Sequence, residues 1–157
     1  MLFRSAKMAR GFAKRLEASL AIIDKRRPSA NVAEVVNVVG AVEGRDCLIV
    51  DDMIDTAGTM AEGIIALNRL GARNVYCCAS HALFSGPAVE RLRAAPVAEV
   101  AVTDTIRVPE ERRFDKLRVL SVAPLLAQAI RFTHSEDRKS TRLNSSHSQQ
   151  SRMPSSA

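Results

Sequence analysis

The sequence predicts an α/β domain: a doubly wound, mainly parallel sheet flanked by helices. Three observations carry this. Apolar runs of strand length alternate with amphipathic stretches of helical period, at crossover spacing. One run, Cys47-Leu48-Ile49-Val50, is apolar without alternation, as in a parallel strand covered on both faces. The chain has 157 residues, 46% apolar and 25% charged, enough for one core of ordinary size.

Each element has its own justification. Met8, Phe12, Leu16 and Leu20 fall at near-helical spacing among Lys7, Arg10, Lys14 and Arg15, which predicts an amphipathic helix over 6–18. Leu20-Ala21-Ile22-Ile23 reads as a short buried strand ending at the charged run Asp24-Lys25-Arg26-Arg27. Pro28-Ser29-Ala30-Asn31 signals a loop. The β-branched stretch 32–42 is extended, with breaks at Gly40 and Gly44. After the strand at 46–50 comes a helix over 60–70, carrying Ile64, Ile65, Leu67 and Leu70 and stopped by Gly71. A strand over 75–80 is next, then a helix over 87–94 opened by Ser85-Gly86-Pro87. Strands over 97–103 and 117–122 and an amphipathic helix over 123–132 complete the pattern.

Composition excludes several functions. The net charge of +6 suggests a nucleic-acid partner until its distribution is read. Residues 137–157 hold Arg138, Lys139, Arg142 and Arg152 against Asp137 alone, and Arg4 adds one charge to residues 1–5. The stretch 6–136 is left with 18 basic and 16 acidic side chains, so there is no case for nucleic acid. No apolar run approaches the ~18 residues of a membrane span. The N-terminus lacks the apolar stretch and cleavage site of a secretory signal, so a cytoplasmic protein is expected. Cys47, Cys77 and Cys78 show no CxxC spacing and read as small hydrophobes in a reducing compartment, not as a metal site.

The two ends stand apart. Asp137-Arg138-Lys139-Ser140-Thr141-Arg142-Leu143-Asn144-Ser145-Ser146-His147 and the Ser/Gln/Pro-rich remainder form a polar tail that cannot bury a face. That string also resembles one reading frame of a common sequencing adapter, and Leu2-Phe3-Arg4-Ser5 resembles the matching end. The domain is therefore expected at 6–136, truncated at its start, with 1–5 and 137–157 adapter-derived. A basic interaction tail is the alternative.

Ligands of such sheets bind beyond the carboxyl ends of the strands, where the segment 51–59 lies. Thr56, Thr59 and the N–H groups around Gly58 suit a phosphate, helped by the positive end of the adjoining helix. Gly58 allows close approach of an anion. Asp51 and Asp52 would repel that phosphate, so they suit sugar hydroxyls or a magnesium ion. A sugar phosphate satisfies both halves of the segment. A plain helix N-cap, with acidic residues favouring the dipole, satisfies them equally on composition alone.

Val50-Asp51-Asp52-Met53-Ile54-Asp55-Thr56-Ala57-Gly58-Thr59 resembles the phosphoribosyl-binding loop of type I phosphoribosyltransferase-fold proteins. The surroundings resemble one family on that fold, the ribose-phosphate pyrophosphokinases. Asp24-Lys25-Arg26-Arg27-Pro28 is similar to the family's flexible catalytic loop. Further similar stretches are Asn31-Val32-Ala33-Glu34-Val35 through Gly40, Val75-Tyr76 through Ser85-Gly86-Pro87-Ala88, Val102-Thr103-Asp104-Thr105-Ile106 and Leu120-Ser121-Val122-Ala123-Pro124-Leu125-Leu126. The resemblance runs through nearly all of 6–136.

The resemblance implies that ribose 5-phosphate and ATP give 5-phosphoribosyl 1-pyrophosphate and AMP, with Mg2+ required. Lys25 and Arg27 match the residues acting on the transferring group, and Arg27 also holds the sugar phosphate; Arg26 reads as a solvated charge. Asp51 contacts the ribose and Asp52 completes the acidic pair. Asp55, Thr56, Ala57, Gly58 and Thr59 form the 5-phosphate cradle. His81 reads as structural, and no metal ligand is assigned within this chain. The family's chain is roughly twice this length. Its other half supplies most ATP contacts and the metal-binding histidine, so this chain alone is expected to be inactive. Homo-oligomers, hexamers in the family, are also implied. Two rival readings are a non-catalytic regulatory homologue and a base phosphoribosyltransferase. Intact Lys25 and Arg27 disfavour the first, and the Lys-Arg-Arg-Pro context disfavours the second. A phosphorelay receiver domain also ends strands in aspartates, without that context.

Sequencing the source locus from unamplified genomic DNA is expected to show a longer frame continuing past Ala6 and Glu136. A frame that stops where this one does overturns the adapter reading.

Overall fold

The computed structural model describes residues 6–26 and 35–134. Its first compact unit, Met1–Ser121, contains both sheets; the second begins at Val122 and contains one described helix. In the first unit, helix α1 (Ala6–Arg15) leads to strand β1 (Ile22–Arg26), which pairs antiparallel with β2 (Val35–Val39). Then come β3 (Asp46–Ile54), α2 (Gly58–Arg69), β4 (Asn74–Ala82), α3 (Ala88–Ala94) and β5 (Glu99–Thr103). A short 3-10 turn, Glu110–Arg112, precedes β6 (Leu117–Leu120). Helix α4 (Ala123–His134) lies in the second unit and has no buried residue.

Strands β3 to β6 form a four-stranded parallel sheet in sequence order, as the unalternating apolar run predicted. The register Asp46↔Asn74 to Ile54↔Ala82 puts Cys47, Ile49, Val75, Cys77, Val100 and Val102 among the buried core residues. Ile64 and Leu67 of α2 and Leu92 of α3 join the same cluster, each fully buried. On the other face, Phe12 of α1 shares a cavity of about 180 Å³ with Val50, Cys78 and Ala101. Helices thus meet both faces of the sheet, as expected of a doubly wound domain.

The strand limits differ from those predicted in several places. β1 begins at Ile22, not Leu20, and continues through Asp24, Lys25 and Arg26, which pair with Asn37, Val36 and Val35. β3 runs four residues past Val50 and takes in Asp51 and Asp52. α2 opens at Gly58, two residues ahead of Met60. The predicted helix stop stands: Gly71 takes φ +80° and its N–H donates to Asn68 O at 3.0 Å. Gly40 turns the chain out of β2 at φ +137°, where a Cβ would come within 2.8 Å of the Ala21 Cβ. The loop expected at Pro28–Asn31 lies outside the described residues, as do 1–5 and 137–157.

The three cysteines are free thiols. Cys77 and Cys78 are successive strand residues and so point to opposite faces of the sheet, which no disulfide can span. Burial pushes both thiols up, keeping them protonated and unreactive. They are packing residues.

At the amino end of β3 and β4, away from the acidic pair, Asp46 accepts from Arg73 through both oxygens and from Asn74 at 2.8 Å. These bonds, the one from Arg73 foremost, hold its carboxyl down to about 2. A lowered native pKa means the pair stabilises the fold above the ordinary carboxylate range. That contribution is lost as pH falls from about 4 toward 2. An NMR titration of Arg73→Met is expected to return Asp46 toward its ordinary value. An unmoved midpoint refutes the assignment.

Candidate functional site

Nine residues carry the strand-to-helix passage 51–59. Asp51, half-buried, and Asp52, exposed, stand in β3. Each folds forward along its own chain: Asp51 Oδ1 accepts from the Asp52 N–H and Asp52 Oδ1 from the Met53 N–H, both at 3.0 Å. Ile54 ends the strand, almost wholly buried, and anchors the turn beyond it. Only Asp55, Thr56 and Ala57 separate it from Gly58, the first residue of α2. The acidic pair and the helix N-terminus are therefore neighbours by covalent connection.

That turn is tight, and its backbone shows it. Ala57 takes φ 56° and ψ 10°, the left-handed region, at a cost of about 1–2 kcal/mol for a residue with a Cβ. The left-handed residue of the turn is Ala57, one position before Gly58. Ala57 is also buried, so the turn is packed from below. Helix geometry gives the first N–H groups of α2 no intrahelical partner, Ala61 N–H being the first to bond back, to Ala57 O at 2.9 Å. No side chain caps this end, and no acidic residue occupies the first turn. The plain N-cap reading therefore fails: what would satisfy these donors is water or an anion. Thr56 and Thr59 are exposed beside them.

The turn is braced from β4 and α3. Leu83 N–H and Phe84 N–H both donate to Ile54 O, and Ser85 N–H to Asp55 O, all at 3.0 Å. Phe84 is itself left-handed, at φ 49°, and its buried ring meets Phe114 edge-on at a centroid separation of 6.3 Å. Arg91 of α3 donates from Nη1 to the Thr56 carbonyl at 2.8 Å. Sequence reading missed Ser85, Phe84 and Arg91 as parts of this site. Nothing local distinguishes an arginine bonded to a carbonyl from one in solvent.

The remaining predicted residues lie elsewhere. Lys25 has a backbone position in β1, opposite Val36. Two residues earlier, Ile23 lies against α2, where a Cβ on Gly63 would come within 3.0 Å of Ile23 Cδ1. The strand carrying Lys25 thus runs beside the helix that begins at Gly58. Arg27 lies outside the described residues. His81 is held by Thr105, its Nδ1 at 2.9 Å from Oγ1, and Thr105 in turn donates to Ser80 O at 2.9 Å. That network fits the structural role expected of it. Among the described residues no three His, Cys, Asp or Glu side chains gather in a way that holds a metal ion. None of the described helices is long and apolar enough to cross a membrane.

A family model, the phosphoribosyl synthetase-associated domain, matches residues 25–143. The chain belongs to this family. Over 130 residues it is 55% identical to the ribose-phosphate pyrophosphokinase of Caldanaerobacter subterraneus subsp. tengcongensis, covering 83% of this chain and 41% of that one. It is 58% identical over 130 residues to the ribose-phosphate pyrophosphokinase of Synechococcus elongatus, covering 82% and 39%. The crystal structure of phosphoribosylpyrophosphate synthetase from Mycobacterium smegmatis superposes with a TM-score of 0.78 at 39% identity, over 86% of this chain and 43% of that one. The chain spans about two fifths of the curated relatives it matches. The α/β fold is thereby shared with a solved member of the family.

The brace behind the turn is testable. Phe84→Ala removes a fully buried ring and is expected to cost about 3–5 kcal/mol in chemical denaturation. A loss under about 1 kcal/mol would mean that the ring does not support the turn.

Proposed function

We propose that this chain is the sugar-phosphate half of a ribose-phosphate pyrophosphokinase. The observation that carries the reading is the three-residue turn from a carboxylate-bearing strand to an uncapped helix N-terminus. Few ligands ask for hydroxyl acceptors and an anion cradle this close together. A ribose phosphate does.

In this reading, the 5-phosphate rests on the N–H groups at the start of α2, with the Thr56 and Thr59 hydroxyls and the backbone of Asp55, Ala57 and Gly58 around it. Asp51 accepts from ribose hydroxyls, and Asp52 completes the acidic pair. The parent enzyme then transfers pyrophosphate. The sugar's 1-hydroxyl oxygen bonds to the β-phosphorus of ATP, the bond from that phosphorus to the oxygen bridging it to the α-phosphorus breaks, AMP departs, and the hydroxyl proton is released. Lys25 supplies a mobile point charge and Arg27 a planar fork to the transferring group, with Arg27 also on the sugar phosphate. Such transfer depends on positioning and charge compensation.

Mg2+ bound with ATP would neutralise phosphate charge. Asp51 and Asp52 are hard oxygen donors of the type it takes, but the described residues form no complete cage, and no step is assigned to the metal. ATP contacts belong to the part of the relatives that this chain does not span. A cytoplasmic homo-oligomer, without nucleic-acid or membrane partners, accompanies the reading.

Calorimetry with the purified chain is expected to register ribose 5-phosphate, with Asp51→Asn weakening it about tenfold through lost charge-assisted hydrogen bonds. With ATP and Mg2+ the chain alone is expected to make no phosphoribosyl pyrophosphate, while a full-length relative carrying these residues does so without any base. Synthesis by the chain alone refutes its status as half a site, and pyrophosphate release that needs a base makes it a phosphoribosyltransferase.

A further inference from the structure

A left-handed alanine does not hold itself in place. Ala57 keeps its conformation only because neighbours fix the residues around it. Behind it, Ser85 N–H holds Asp55 O at 3.0 Å and Arg91 Nη1 holds Thr56 O at 2.8 Å. Ahead of it, Ala57 O is taken by the first helical bond of α2, from Ala61 N–H at 2.9 Å. Three consecutive carbonyls, 55 to 57, are thus committed. A cradle for an anion requires this, because a carbonyl oxygen turned inward would repel the phosphate that the N–H groups attract.

Two of the three partners are backbone groups, which any sequence with this fold supplies. The third is a side chain brought 35 residues along the chain. Its guanidinium does more than accept a place at Thr56. Arg91 Nη1 lies 3.4 Å, and its Cζ 3.9 Å, from where a Cβ on Gly58 would stand. A permanent cation therefore sits against the first residue of α2, on the side of the turn facing α3. Its planar fork has further N–H groups beyond the one used at Thr56.

We propose that Arg91 is a positioning residue of the phosphate cradle. It holds the Thr56 carbonyl out of the anion's place, locks the left-handed turn before ligand arrives, and adds positive potential beside Gly58. The assignment deepens the sugar-phosphate reading and rests on it for the identity of the anion. Arg93, on the same helix, is engaged elsewhere, donating to the Arg113 carbonyl at 2.9 Å.

The test uses the whole chain, with ribose 5-phosphate as probe and two variants, Arg91→Gln and Arg91→Lys. Arg91 is exposed, so both are expected to fold with an unchanged far-UV spectrum. Arg91→Gln is expected to weaken ribose 5-phosphate about tenfold, the size of one lost charge-assisted bond. It is also expected to speed hydrogen exchange severalfold at the Ala61 and Ser85 amides, which flank the turn, without ligand present. Arg91→Lys, keeping the charge and one donor, recovers most of both effects. Unchanged affinity together with unchanged exchange in Arg91→Gln overturns the proposal. Weakened affinity with unchanged exchange also overturns the positioning role, because Arg91 then acts on the anion through its charge alone and positions nothing. If the unsubstituted chain fails to bind ribose 5-phosphate, the functional reading falls. The exchange measurement then judges the Arg91 brace alone, faster exchange supporting it and unchanged exchange refuting it.

Discussion

The parallel pairing of β3 with β4 is the constraint on which the site depends. Its register, held from Asp46↔Asn74 to Ile54↔Ala82, sets where β3 must end and therefore where the chain must turn. Ile54 is buried at the last rung, and the continuing backbone of β4 immediately takes its carbonyl through Leu83 and Phe84. Three residues then remain to reverse direction into α2. Among them Ala57 takes the left-handed conformation. The site is the consequence of a strand that runs as far as its partner allows.

Most of the architecture was legible because burial in a parallel sheet leaves a strong mark. Cys47-Leu48-Ile49-Val50 is unbroken by polar residues since both its faces are covered, and Gly71 stops α2 through the positive φ that glycine tolerates. Strand ends were harder. Apolar pattern ceases where burial ceases, but the hydrogen-bond ladder goes on, so Asp51 and Asp52 belong to β3 while looking like loop. The 3-10 turn at Glu110–Arg112 buries none of its residues and so left no periodic signal.

The same contrast divides the site. Asp51, Asp52, Asp55, Thr56, Ala57, Gly58 and Thr59 could be proposed together because the sugar-phosphate chemistry they suit lies in one contiguous stretch. Their support could not. Phe84 and Ser85 lie in a segment whose sequence announces only the start of α3, and Arg91 reads as one more charge on that helix. Tertiary pairing gives these residues their role, and no local period records it. The helix N-cap was a fair competitor on composition. It lost because Ala57 at the cap position has no side-chain oxygen to offer.

On the proposed reading, a site so divided lets one part of a longer enzyme carry a sugar-phosphate half-site of its own. The cradle depends on β3, α2, the end of β4 and α3, all within the first unit, and its bonds close locally around residues 54–61 and 83–91. Binding one substrate in such a place lowers no barrier by itself. In transfer between two bound molecules, acceleration comes from holding the attacking oxygen in line with the phosphorus, and a group that fixes only one of them contributes affinity without rate. The strained turn makes sense in these terms. On the proposed reading, a backbone already locked in the conformation an anion requires does not have to be ordered when a sugar phosphate arrives, so less of the binding free energy is lost to that ordering, and more remains for alignment with a second substrate.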